Sequence, residues 1–226
     1  MMSPFLSSLW SSVGKKAMMG LTGLLMIGFL VEHLIGNMLL VFAEPATFNR
    51  YAHVLTSMGG VLIVAEWILI IILAAHVVSA ISVSLGKMRA RPEGYKKKAS
   101  AGPPSRKSVS SMTMIYTGIV LFIFLILHLN TFKYGPHYST VVDGVEMRDL
   151  HKLVYEVFAQ PGYTVGYVVI MTLLGFHLRH GFWSAFQSLG LNHPNYHKTL
   201  NTLGIFVALL LAFGFIGIPI WIYLSS

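Results

Sequence analysis

Gly175-Phe-His-Leu-Arg-His-Gly-Phe-Trp-Ser-Ala-Phe-Gln-Ser-Leu189 closes an apolar run that begins near Tyr163. Two histidines and an arginine stand where hydrocarbon-compatible side chains are expected. Ionisable groups inside an apolar span are costly and point to function unless a partner satisfies them. Three further apolar runs each carry one deep histidine: His33, His76 and His128.

Working outward, the composition is that of a membrane protein. Of 226 residues, 55% are hydrophobic and only 11% charged, where a soluble domain carries about 25%. A helix needs about 20 mainly apolar residues to cross the hydrocarbon core. Five stretches meet that length, at 17–43, 59–86, 111–133, 162–189 and 201–224. Each is apolar around most of its circumference, as a lipid-embedded helix should be. The fold expected is an all-α integral membrane protein, one membrane domain over residues 1–226, with the first four spans forming a bundle around the four deep histidines. Gly20, Gly23, Gly28 and Gly36 on the first span are suited to close helix approach.

The formal net charge of +8 is explained by topology and not by nucleic acid. Lys15 and Lys16, the 87–110 segment (Lys87, Arg89, Arg91, Lys96, Lys97, Lys98, Arg106, Lys107) and Lys198 all fall on one side. Arg50, Lys133, Arg148 and Lys152 fall on the other, offset by Glu44, Asp143, Glu146, Asp149 and Glu156. The positive-inside rule places the N-terminus and the 87–110 loop in the cytoplasm (or matrix) and the C-terminus outside; the membrane expected is the cell's inner membrane. Residues 1–14 contain no Lys or Arg, unlike a secretory signal, and read as an amphipathic lead-in at the membrane surface. Pro92, Gly102, Pro103 and Pro104 make the basic loop irregular. The outer loop 134–161 is expected to carry a short surface helix around Met147–Phe158.

The histidines sort by depth. His76 stands 11 residues before Lys87, and His177 stands 10 before Gln187; both lie roughly 15 Å from the inner boundary at the helical rise. His33 and His128 lie roughly 25–30 Å from it by the same count. An inner pair and an outer pair result, each drawn from two helices. That is the arrangement for clamping a flat macrocycle with one imidazole on each face of its iron. Zinc would want three or four protein ligands at one depth. Two such haems, separated by roughly 10–15 Å, make an electron relay. His180 competes with His177 for the ligand position. Arg179 and Gln187 are candidates for polar contacts on the inner side, including haem propionates. Glu32 and Glu66 are the intramembrane carboxylates; Glu32 points about 100° away from His33, and Glu66 is a candidate for handling quinone protons. Histidines that merely bond between helices, in a haem-free scaffold or transporter, are the alternative the residues leave open.

These residues fall in an order that resembles a known family. The carriers are Lys16-x-x-Met19-Gly-Leu-Thr-Gly23, His33-Leu-x-Gly-Asn37, Phe48-Asn-x-Tyr-Ala52, His76, His128-Leu, Phe176-His-Leu-x-His-Gly-Phe-Trp-Ser-x-x-Gln-x-Leu-Gly190 and Gly217-Ile-Pro-Ile220. Together they resemble the cytochrome b membrane-anchor subunit of succinate dehydrogenase and fumarate reductase, in its single-subunit, five-helix, two-haem class. The resemblance implies two b haems, the inner ligated by His76 and His177 and the outer by His33 and His128. It also implies a flavoprotein subunit with FAD and an iron–sulfur subunit docked on the cytoplasmic face. Electrons would pass between these and a membrane quinone, menaquinone or ubiquinone, as in respiratory complex II and the tricarboxylic acid cycle. The chain has no cysteine, which agrees with clusters carried by a partner, and it would not oxidise succinate alone. A higher oligomer of the whole complex is compatible with this. Some related fumarate reductases carry a glutamate two residues before the fourth-span ligand; Gly175 stands there in this chain, which puts that proton route in doubt. The b-type anchor of a membrane hydrogenase or formate dehydrogenase is a second electron-transfer alternative.

Overall fold

Each long helix begins and ends on a recognisable local signal. In the computed structural model, which describes residues 3–90, 109–191 and 193–226, a short α1 (Pro4–Leu9) leads into α2 (Ser12–Asn37). The Ser11 side chain accepts from the Gly14 amide at 3.0 Å, satisfying one of the first-turn donors that a helix leaves unpaired. At the other end Asn37 Nδ2 donates back to the His33 carbonyl at 2.7 Å, and the chain breaks briefly before α3 (Leu39–Phe42). Then come α4 (Pro45–Ser57), α5 (Gly60–Arg89) and α6 (Val109–His128). A π-helical turn, Leu129–Lys133, extends α6. A hairpin of β1 (Ser139–Val142) and β2 (Val145–Arg148) precedes α7 (Leu150–Phe158), α8 (Pro161–Ser188) and α9 (Pro194–Ser225). Proline opens α4, α8 and α9, where its missing N–H costs nothing. Gly59 takes a positive φ of 54° at the sharp joint between α4 and α5, a conformation open to glycine.

Five helices are long and apolar enough to cross a membrane: Ser12–Phe42, Gly60–Arg89, Ser110–Lys133, Pro161–Ser188 and Pro194–Ser225. The chain is an all-α, multi-pass membrane protein. The first span begins earlier than the sequence expectation because Ser11 caps it. The fifth begins at Pro194, so Lys198 lies inside the helix. Most of the basic 87–110 segment, with Pro92, Gly102, Pro103 and Pro104, lies outside the described residues.

The helices pack in the order α5, α2, α8, α6, with α9 laid along α8 and touching α2. Contact between α5 and α6 is slight, and Ser79 is the buried residue of α5. Apolar side chains around the rest of α5 face outward, as lipid contact requires. Burial against lipid-like surroundings supplies little driving force between such helices, so close van der Waals fit has to hold them. A Cβ added at Gly20 would come within 3.1 Å of the Ala185 backbone, and one at Gly175 within 2.9 Å of the Ala212 side chain. These two glycines bring α2 onto α8 and α8 onto α9. Leu34, Leu178, Phe182, Leu211 and Ile222 fill the seams.

The outer end carries a cap that the sequence reading places only in part. The surface helix expected around Met147–Phe158 starts at Leu150, and Met147 and Arg148 belong to β2 instead. The cause is the Asp143-Gly144 turn. Both residues have positive φ, 51° and 77°, the two-residue hairpin geometry that aspartate and glycine tolerate best. Asp149 then caps α7, accepting from the Lys152 amide at 3.0 Å. Four residues of α7 are buried (Leu153, Val154, Val157, Phe158), so it is packed into the cap and does not lie free on a surface.

Candidate functional site

Deep histidines can serve a metal only if one ring nitrogen is left with a free lone pair. His76 meets that condition. His76 Nδ1 lies 3.1 Å from the Met19 carbonyl oxygen. A carbonyl only accepts, so Nδ1 carries the proton and Nε2 keeps its lone pair. Thr22 Oγ1 stands 3.3 Å from the same nitrogen and gives its own proton to the Met18 carbonyl at 2.7 Å. On α8 the device is repeated with different atoms. Thr117 Oγ1 donates to the Thr113 carbonyl at 3.1 Å. The same oxygen stands 3.0 Å from His177 Nδ1, a contact the imidazole makes as donor or as acceptor according to its tautomer. Both inner imidazoles are thus anchored through Nδ1, and His76 is held as the Nδ1–H tautomer with Nε2 available.

Room for the rings comes from two glycines facing them. A Cβ at Gly23 would lie 3.3 Å from His76 Cε1, and one at Gly118 would lie 3.6 Å from His177 Cε1. His76 of α5 is held against α2 in the neighbourhood of His177 of α8, and His180 follows one turn later on α8. His180 is half-buried, whereas Arg179 and Gln187 are exposed.

The outer pair meets directly. The His33 and His128 rings lie 5.9 Å apart, centre to centre, at 81°. Two imidazoles bonded to opposite faces of one metal have centres about 6 Å apart, from two bonds of about 2 Å plus the rings' half-widths. His128 Nδ1 is hydrogen-bonded to Tyr167 Oη at 3.1 Å. Phe29 stacks on His33 at 5.4 Å and Phe215 lies at 5.9 Å. Phe124 and Phe132 flank His128 at 5.6 and 5.3 Å. The donor set of four imidazoles in two pairs, with aromatic walls around one and glycines beside the other, fits a flat iron macrocycle. Among the described residues no group of three or more His, Cys, Asp or Glu side chains forms a many-ligand metal cage.

The two intramembrane carboxylates part company. Glu66 pairs with Lys133, joining α5 to the π-helical end of α6. Glu32 accepts from Tyr51 Oη at 3.2 Å and lines a pocket. Gly175 faces Ala212 so closely that no glutamate fits there without displacing α9.

Sequence reading missed Thr22, Thr117 and Tyr167 as partners of the histidines. Thr22 lay inside a quoted motif, one residue before Gly23. Thr117 and Tyr167 carry no local signal, because each meets its histidine across helices.

The chain matches no protein-family model, and comparison with curated proteins and with solved structures finds no similar chain.

Proposed function

We propose that this chain is the membrane-anchor cytochrome b subunit of a succinate:quinone oxidoreductase, holding two bis-histidine b haems. The observation that carries this reading is the anchoring of His76 and His177 through Nδ1. A structural histidine needs only to satisfy its polar atoms. These two spend Nδ1 on a neighbouring backbone carbonyl or threonine, the kind of contact that second-shell partners make to metal-bound imidazoles. The facing His33 and His128 rings supply the second pair.

In this reading each haem, when bound, takes up and releases one electron at a time. The chain's own residues do the positioning. Met19 and Thr117 set the inner ring orientations, Tyr167 sets that of His128, and Phe29, Phe124, Phe132 and Phe215 keep water from the outer pair. His180, Arg179 and Gln187 lie on the inner side, where haem propionates or a partner surface would meet them. Flavin and iron–sulfur chemistry belong to partner subunits on the cytoplasmic face. The lysines at the start of α2 and at the end of α5 support a cytoplasmic N-terminus in the inner membrane.

The test is a dithionite-reduced minus oxidised spectrum of protein isolated with its partners from native membranes, with haem quantified per chain. Two b haems per chain are expected, and His76→Ala should remove mainly one. Absence of haem from that preparation overturns the reading in favour of a haem-free scaffold or transporter.

A further inference from the structure

Gly135 turns the chain back over the end of α6 and its π-turn, where a Cβ would collide with the Thr131 carbonyl. The fold-back leaves a pocket of ≈ 530 Å³ between that turn, the lead into the hairpin, α7 and the start of α8. Three phenol rings line it (Tyr134, Tyr138 and Tyr163), together with Glu156, Asn130 and Gln160. One span ends at Lys133 and the next begins at Pro161, so the pocket is level with the boundary of the apolar layer. Its interior is negative in character. Tyrosine rings present a negative face, the last carbonyls of a helix carry partial negative charge, and Glu156 adds a carboxylate. No lysine or arginine is among the lining residues. Two lysines stand at the rim instead. Lys152 Nζ lies 4.5 Å from the Tyr138 ring centre and 3.9 Å from Glu156 Oε1. Lys133, which pairs with Glu66, lies 5.7 Å from the Tyr134 ring centre.

We infer that this pocket receives the ammonium of a zwitterionic phospholipid headgroup, of the phosphatidylethanolamine kind, with the lipid phosphate at the lysine rim. The inference does not depend on the haem reading. Chemistry selects the occupant. An ammonium is attracted to aromatic faces and to a carboxylate, and three tyrosines around one acid offer both. Lys152 already shows that Tyr138 and Glu156 together hold an ammonium. That pair is weak, because the separation is 3.9 Å and the side chains are 53% and 46% exposed, where screening leaves little attraction. Lys152 is therefore free to turn to a phosphate while the lipid's own ammonium takes its place beside Glu156. A free amine would use the pocket and leave the rim lysines without a phosphate. Phosphatidylglycerol would bring the phosphate and put a neutral polyol where the carboxylate calls for a cation. The level of the pocket agrees, since tyrosines gather at the headgroup layer, and a headgroup held at the ends of α6 and α8 leaves its acyl chains along the apolar spans.

The test uses the protein with its partners in nanodiscs of dioleoylphosphatidylglycerol, titrated with dioleoylphosphatidylethanolamine and followed by hydrogen exchange and mass spectrometry. Protection is expected to rise in 130–138 and 153–163 with the ethanolamine lipid and not with phosphatidylglycerol alone. Glu156→Gln should raise the amount of ethanolamine lipid needed by about tenfold, the loss of one charge-assisted hydrogen bond. Lys152→Gln should also weaken the response to the phospholipid, and should not weaken any response to free ethanolamine, which has no phosphate. Both positions are half exposed, so the cap keeps its fold in either variant, and the exchange of α4 in the same sample reports that it has. Protection that is the same with and without the ethanolamine lipid overturns the inference, as does protection that neither substitution changes. Protection by free ethanolamine equal to that by the phospholipid overturns the lipid assignment in favour of a soluble amine.

Discussion

Tyr167 Oη sits 3.1 Å from Nδ1 of His128, tying α8 to α6 at the outer end of the bundle. The aromatic cluster around it (Phe124, Phe132 and Phe158) holds the phenol at ring distances of 4.9, 6.3 and 4.8 Å. Tyr167→Phe keeps the packing and deletes only the hydroxyl. Loss of a partner behind a metal-bound imidazole typically weakens the site by about 10–100-fold. If the chain holds the two proposed haems, the expected outcome is an outer haem that is retained less tightly and titrates at a different potential, while the inner haem is unchanged. Redox titration with haem quantification reads both. A purely structural hydroxyl would change stability and leave the potentials where they were.

The glycines beside the inner pair predict a graded response. A methyl at Gly23 would approach His76 Cε1 to 3.3 Å, while one at Gly118 would approach His177 Cε1 only to 3.6 Å. The first is tighter than ordinary contact and the second is not. The His76 ring has little freedom to retreat, because the Met19 carbonyl and Thr22 hold its Nδ1. On the cytochrome proposal, Gly23→Ala should therefore disturb the inner haem, seen as a lowered inner-haem content or an altered low-temperature reduced spectrum. Gly118→Ala should give a spectrum close to wild type. Equal effects at the two positions would mean that the imidazoles do not sit where the helices place them.

How much of this was legible beforehand follows from what is local and what is not. The five spans could be counted because each is a continuous apolar run, and length alone decides whether a run can cross. The two depth pairs could be counted because helical rise converts sequence number to height. Azimuth could not be read in the same way. Nothing in the sequence tells that Tyr167 turns toward α6, or that α5 lies along α2 and hardly meets α6. The hairpin is a different kind of omission. Asp143-Gly144 between short β-branched runs is a readable turn signal, overshadowed by the helical pattern that follows it. Glu66 and Glu32 looked alike as intramembrane carboxylates, and only the fold pairs one of them with a lysine from α6.

The outer cap should respond to pH through His151. This ring stacks on Tyr155 at 4.2 Å, and its backbone amide donates to Asn49 Oδ1 at 2.9 Å. Burial holds its pKa below the usual histidine value, with the Asp149 charge opposing. The sign follows directly. Above about pH 6.5 the ring is neutral whether the cap is closed or open, so it contributes no pH dependence. Below that value the open form takes up the proton more readily, and the closed cap loses stability as pH falls. Hydrogen exchange in 139–158, corrected for intrinsic rates, should speed up between pH 7.5 and pH 5. His151→Gln should flatten that difference. Exchange protection that rises toward pH 5 would contradict the argument.

Glu66 and Lys133 form an ion pair that spans the one junction where two neighbouring spans barely touch. Each side chain is 37% exposed, so the pair is screened and its contribution falls in the range of about 0–1 kcal/mol usual for exposed pairs. Its role is then positional more than energetic: it fixes the outer end of α5 against the π-turn that follows His128. Glu66→Gln and Lys133→Gln should each lower thermal stability slightly and by similar amounts. The double variant should lose no more than one of them, because either change already breaks the pair. The charge-swapped Glu66→Lys/Lys133→Glu chain should recover most of the loss. A thermal melt of the four proteins in the same detergent, with coupling extracted from the cycle, decides it. Additive losses without recovery on swapping would mean that Glu66 acts on something other than Lys133.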